Sequence, residues 1–288
     1  MKVLDSESIE SMYASMESIL GLTRATLESV FDSIDLEAIY GASPSPGIPA
    51  NEYLLSEIVK RTSLESLSFD CIHWFHLTRT VDDNDFKDGI LPLGQCIDSI
   101  WDFLYALLDG KLSKQEWDDF RANQITSKKN HYSYLYCLKT CDSTHWGPYA
   151  LLIRDTAFKP DELHNHDYFR VPEIVEDICI VLQERHGVDL LPVFAEKTRP
   201  CIVKFVDDNA KSYCLEAALY HLYHVRKGGW CAPVSPCSTG FDGKGKKFQR
   251  TGFSKLSFLI IRELYPAWKR SRRRLCSCHK IVKLVVSA

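Results

Sequence analysis

The run Cys71-Ile-His-Trp-Phe-His-Leu-Thr-Arg-Thr80 sets polar groups inside an apolar stretch that reads as a strand, and no other feature narrows the possible folds as much. Ile72, Trp74 and Phe75 favour a pleated, half-buried strand. His73, His76, Thr78 and Arg79 carry donors and acceptors that a plain core strand would leave without partners. A ligand site accounts for them; the plainer alternative is a core histidine beside a surface arginine. Phe86-Lys-Asp-Gly-Ile-Leu-Pro-Leu93 follows, with Gly89 and Pro92 marking a turn after a short polar loop.

The chain has 288 residues with 45% apolar content, enough for one large domain with small additions. No apolar run reaches the roughly eighteen residues of a membrane helix. Met1 to Leu20 is acidic and polar rather than basic then hydrophobic, so neither a secretory leader nor a membrane span is expected, and the expected location is cytoplasmic. The 11 cysteines sit in apolar contexts such as Ile178-Cys179-Ile180 and Pro200-Cys201-Ile202, which reads as buried thiols in a reducing compartment rather than a disulfide framework.

The net charge of −3 is unevenly spread, with ten acids against three bases in Met1 to Lys60 and thirteen Lys or Arg against the single acid Glu263 from Lys244 to Ala288. Lys269-Arg-Ser-Arg-Arg-Arg274, preceded by Tyr265 and Trp268, fits phosphate contact with base stacking. Arg270, Arg272, Arg273 and Arg274 are therefore candidate contacts to RNA or DNA. The alternative is a solvated face, or a tail docked on the protein's own acidic segment around Glu28, Asp32, Asp35 and Glu37.

Apolar positions at Ile9, Met12, Met16, Ile19, Leu22, Leu27, Val30, Phe31, Ile34 and Leu36 predict one or two amphipathic helices. Gly41 to Pro49 is a Pro/Gly/Ser linker, which divides the chain into an N-terminal helical segment (1–48), an α+β domain (49–230), and a loop, helix and basic tail (231–288). Helices are expected to about Arg61, over Cys96 to Leu108 with Trp101 in the core, after the capping box Ser113-x-x-Glu116, over Tyr213 to His224, and from about Ser254 to Trp268. Strands are expected at Tyr132 to Leu138, Pro148 to Arg154, Ile178 to Leu182 and Pro200 to Val206. Short strands mixed irregularly with helices indicate α+β rather than a doubly wound parallel sheet.

The order strand, His76-Leu-Thr-Arg79, polar loop, Gly89-Ile-Leu-Pro92 resembles the first nicotinamide-binding strand of the ADP-ribosyltransferase superfamily, where His-Gly-Thr or His-x-Thr is followed by Gly-Leu or Gly-Ile. Leu77 stands where many members have glycine. The resemblance implies a mixed central sheet of that type and three positions on separate strands, a His, an aromatic and a Glu. His76 would take the adenosine ribose, with Thr78 beside it and Arg79 on the pyrophosphate through a bidentate contact. Tyr132, Tyr134 and Tyr136 share one face of the expected strand, with Tyr134 as the central choice. Glu176 is the preferred catalytic carboxylate with Glu173 as second candidate, and Glu196 and Glu216 stay open. Such a carboxylate stabilises the oxocarbenium character that builds on the ribose as nicotinamide leaves. What this implies is an NAD-using transferase with a macromolecular acceptor, nucleic acid if the tail is the guide. The related tRNA 2′-phosphotransferases add a phosphate-bearing RNA as a variant substrate.

Two other classes remain. One is a non-enzymatic nucleic-acid or partner-binding protein in which the His-x-Thr strand is only core. The other is a metal-dependent nuclease holding an ion with His164, His166, Asp167 and Glu173. Cys231, Cys237, Cys276, Cys278 and His279 lack the usual zinc-pair spacings, and Cys137-x3-Cys141-x3-His145 suits a ligand set only on a helix, so no metal site is assigned.

Overall fold

The computed structural model describes residues 1–62, 67–81, 86–126, 130–229, 238–248, 257–260 and 285–286. The fold is α+β around a mixed sheet. Its strands are β1 (Val3–Leu4), β2 (Cys71–Thr80), β3 (Tyr149–Leu151), β4 (Arg199–Asp207), β5 (Gly240–Asp242), β6 (Ser257–Ile260) and β7 (Val285–Val286). The sheet order is β5-β3-β2-β4-β6, with β1 and β7 also pairing with β2. β1 runs parallel to β2 (Val3 opposite Cys71), whereas β3 and β7 run antiparallel to it (Leu151 opposite Phe75, Val286 opposite Arg79).

Two compact units share β2 and β4. One comprises Met1–Phe75, Ala150–Asn165 and Lys204–Phe241; the other His76–Tyr149, His166–Val203 and Asp242–Ala288. The first holds α1 (Ile9–Leu20), α2 (Arg24–Asp32), α3 (Leu36–Gly41), α4 (Ala50–Thr62), α8 (Pro160–Leu163) and α11 (Ser212–Arg226). The second holds α5 (Leu93–Leu107), α6 (Lys114–Thr126), α7 (His131–Cys141), α9 (Glu173–His186) and α10 (Leu191–Lys197).

In the first unit the N-terminal spacing yields capped helices. Ser8 and Ser11 form a capping box on α1, and Gly21, at φ 68°, ends it in the left-handed conformation that glycine adopts most easily. Thr23 and Asp35 cap α2 and α3, and the helices bury Met12, Met16, Leu27 and Phe31. Tyr223 of α11 fastens the turn between α2 and α3: its hydroxyl accepts from the Leu36 amide and donates to the Ile34 carbonyl, both at 3.1 Å. Arg226 forks onto Asp32 (2.7 and 3.0 Å) and reaches Glu28 (3.2 Å). Glu28 and Asp32, two of the four acids considered above as a dock for the basic tail, thus have a partner on α11.

Asp5 lies 3.0 Å from His73 Nδ1 on β2 and 2.6 Å from Lys204 Nζ on β4, and Lys204 also reaches Glu7 at 2.7 Å. Burial alone would raise the Asp5 pKa, but hydrogen bonds from His73 and Lys204 outweigh it and hold the carboxyl at about 2. A folded pKa below the unfolded value means stability that is full above pH of about 4 and lost as pH falls toward 2, about 2 kcal/mol for this group. Urea denaturation of the native chain and of Asp5→Asn should therefore give midpoints that differ at pH 6 and converge near pH 2; equal midpoints at pH 6 would contradict the linkage.

The second unit packs α5, α6, α7, α9 and α10 around Trp101, which is fully buried as expected. Its ring meets Trp117, Phe120 and Tyr136 edge-on at centroid distances of 5.0, 5.6 and 5.9 Å, and its indole N–H donates to Tyr136 Oη at 2.9 Å. The capping box opens α6, with Ser113 N donating to Glu116 Oε2 at 2.8 Å and Glu116 N to Ser113 Oγ at 3.3 Å.

β2, β4, α11 and the N-terminal helices stand where the sequence put them, and β3 covers only the first half of the strand expected from Pro148 to Arg154. Three expectations are corrected. Tyr132 to Leu138 is helix α7, because Asn130 accepts from the amides of Tyr132 and Ser133 at its start and the i, i+4 pair Tyr132 and Tyr136 turns inward. Ile178 to Leu182 lies inside α9, whose Glu173 and Glu176 favour the N-terminal end of the dipole and whose Gly187 (φ 69°) closes it. Ser257–Ile260, placed in the last predicted helix, is strand β6. Arg270, Arg272, Arg273, Arg274, Cys231, Cys237, Cys276, Cys278 and His279 lie outside the described residues. Among the described residues no helix is long and apolar enough to cross a membrane.

Candidate functional site

Two sets of polar groups of the second unit meet at Tyr149: its carbonyl faces His76 on β2, and its phenol feels the charge of Glu173 in the first turn of α9. His76 is 1% exposed on β2, and its Nδ1 lies 2.6 Å from the Tyr149 carbonyl. A carbonyl only accepts, so Nδ1 carries the proton and Nε2 is left with its lone pair. Nε2 is buried and has no hydrogen-bond partner among the described residues. Burial pushes the His76 pKa down to about 4, which keeps the ring neutral at physiological pH. Thr78, fully buried, donates to the Arg79 carbonyl at 3.3 Å.

Arg79 is not placed to meet a pyrophosphate. It is 5% exposed, and its guanidinium donates to the carbonyls of Ala195 (2.9 Å) and Thr198 (2.8 Å), to Thr198 Oγ1 (2.9 Å) and to the Phe169 carbonyl. Tyr134 is corrected too: on a helix it faces away from Tyr132 and Tyr136, and it is 48% exposed.

The two candidate glutamates part company. Glu176, in the first turn of α9, pairs with the exposed Arg170 and lies 3.8 Å from His166 Nδ1. Glu173 accepts from Tyr168 Oη at 3.1 Å and from Lys139 Nζ at 3.0 Å, and the same ammonium reaches Asp177, one turn further along, at 2.8 Å. Burial acts against ionisation of Glu173, yet Lys139 holds its carboxyl below the usual range. For Asp177 burial prevails over Lys139, helped by the charges of Glu173 and Glu176, and the carboxyl is raised. Burial and the Glu173 charge push the Tyr168 phenol far up, so it stays a donor, and burial, Asp242 and Glu173 raise Tyr149 as well. Two carboxyls driven apart in this way are the arrangement that divides acid from base in enzyme sites.

Lys139, Tyr149, Tyr168 and Asp177 were not singled out from the sequence. The Glu173-x3-Asp177 spacing becomes informative only once the segment is recognised as a helix. Two of the side chains proposed for a nuclease ion serve local structure: Asp167 accepts from the Phe169 and Arg170 amides at 3.0 and 3.1 Å, and His166 Nε2 donates to the Val171 carbonyl at 2.6 Å. Among the described residues no group of three or more His, Cys, Asp or Glu is placed to hold a metal ion. Comparison of the chain with protein-family models, curated proteins and solved structures finds no match.

Proposed function

We propose that the chain is an NAD-using transferase of the ADP-ribosyl type, with a sheet of that family's kind, in which His76 receives a ribose hydroxyl. The observation that carries this reading is the His76 ring: its tautomer is fixed by the Tyr149 carbonyl, and a buried acceptor nitrogen is left with no donor among the described residues. Leaving such an atom unpaired costs about 1–3 kcal/mol, which a ligand hydroxyl would recover. NAD would supply the labile bond between nicotinamide and ribose. Glu173 is the catalytic carboxylate in this reading, because Lys139 keeps it ionised and it can oppose positive charge developing on the ribose. Tyr168 orients it by donation. Arg79 holds the scaffold instead of the cofactor in this reading, and Tyr149, whose carbonyl meets His76, takes the aromatic role in place of Tyr134.

A ligand that binds only the native state stabilises it by about 2.7 kcal/mol at a hundredfold excess over Kd. NAD should therefore raise the Tm of the purified chain in a saturable way. His76→Asn should abolish the rise while keeping the unliganded Tm close to native, and Glu173→Gln should keep the rise but lose NAD turnover. Absence of any shift at millimolar NAD, with the chain folded, would overturn the reading.

A further inference from the structure

Cys137 and Cys141 close the last turn of α7, and their Sγ atoms lie 3.3 Å apart. Neither belongs to a disulfide. With Tyr134, Leu138 and Asp142 they line a shallow groove of about 290 Å³. We propose that this pair is a dithiol site for a trivalent thiophilic metalloid of the arsenic(III) class, bound through both sulfurs. The proposal is independent of the reading of His76 and Glu173.

Geometry separates a bridging atom from a direct bond. Residues four apart on a helix hold their Cβ atoms roughly 5–6 Å apart, whereas a disulfide needs about 3.5–4.5 Å, so direct oxidation would have to unwind the end of α7. An inserted atom avoids that distortion. A centre with sulfur bonds of about 2.3 Å, the zinc–thiolate length, would subtend about 90° across the observed 3.3 Å. That angle suits a pyramidal three-coordinate centre, whereas tetrahedral zinc wants a wider angle and two further ligands. His145, the third candidate in this stretch, forms no group of three or more potential metal ligands with the two sulfurs.

Position and access agree with this. Cys71, Cys96, Cys179, Cys201 and Cys214 are buried, and burial pushes the Cys201 and Cys214 thiols up to about 12, where thiolate is scarce. Cys141 is exposed. Tyr134 and Leu138, 48% and 40% exposed, flank the sulfurs with apolar surface that would receive an organic substituent on the third valence. In the binding step two As–O bonds are replaced by two As–S bonds. The thiol protons leave with the oxygen as water, and arsenic stays trivalent, so no oxidant is required.

Phenylarsine oxide is a suitable probe on the reduced full-length chain, read by intact mass and by peptide mapping. One phenylarsenic group per chain should map to α7, survive excess monothiol and be released by a dithiol. Cys137→Ser and Cys141→Ser should each lose that equivalent with unchanged circular dichroism, whereas Cys276→Ser/Cys278→Ser should keep it. An adduct that persists undiminished in both single variants, or that maps to Cys276 and Cys278 alone, would overturn the proposal.

Discussion

Replacing Arg79 by methionine is expected to lower stability by about 3–5 kcal/mol, because several buried carbonyl and hydroxyl acceptors lose their donor at once. The side chain is 5% exposed, and among the described residues its guanidinium donates to Phe169, Ala195 and Thr198. Methionine fills a similar volume, so the loss is one of hydrogen bonds rather than packing. The acceptors stay buried, and each one left without a donor costs about 1–3 kcal/mol. Lysine should recover only part of the deficit, because one ammonium cannot reproduce a planar fork. Guanidinium denaturation of the three chains checks this. A methionine variant within about 1 kcal/mol of native would show that water takes over the guanidinium's role. The same experiment bears on the ligand reading, since a pyrophosphate-binding arginine would lose affinity before stability.

The second large effect is expected at Trp101. Truncation to alanine removes an indole packed against Trp117, Phe120 and Tyr136, and large aromatic-to-alanine changes in cores cost about 3–5 kcal/mol. Tyr136→Phe isolates the hydrogen-bond component: it keeps the ring contact, strips the acceptor from the indole N–H, and should cost about 1–3 kcal/mol. If Tyr136→Phe equals or exceeds Trp101→Ala, the ordering of packing over hydrogen bonding proposed for this core is wrong.

Much of the architecture was legible because its signals are local. The Ser113-x-x-Glu116 box, the spacing of Met12, Met16 and Ile19, and the apolar run through Pro200 to Val206 each depend on neighbours along the chain. Two helices read as strands had equally local signals pointing the other way. A run of tyrosines has high strand propensity, but that propensity reflects packing on a pleated surface, and Asn130 with the inward Tyr136 supplies different packing. A short run such as Ile178 to Leu182 fits a buried strand or a buried helix equally well; Pro172 before it and Gly187 after it carry the helical information. The candidate site was less legible. His76 was visible as a polar group in an apolar strand, but the role of Arg79 depends on Ala195 and Thr198, more than a hundred residues away. Lys139 finds Glu173 and Asp177 across 38 residues or nearly so, a pairing that no periodicity announces.

The fastening of the α2–α3 turn by Tyr223 bears on how this protein is born. The hydroxyl's two contacts span 187 and 189 residues, and the unit that contains them draws on three stretches of the chain. A ribosome making the protein releases the N-terminal helices long before α11 exists, so Met12, Met16, Leu27 and Phe31 must wait with apolar surface uncovered. Closing so distant a contact adds only modest entropy, since each doubling of loop length costs about 0.6 kcal/mol, but it delays the event and favours slow folding. The acidic residues along that segment, Glu10, Glu17, Glu28 and Asp32 among them, keep like charges on the waiting helices and so discourage nascent chains from sticking to one another.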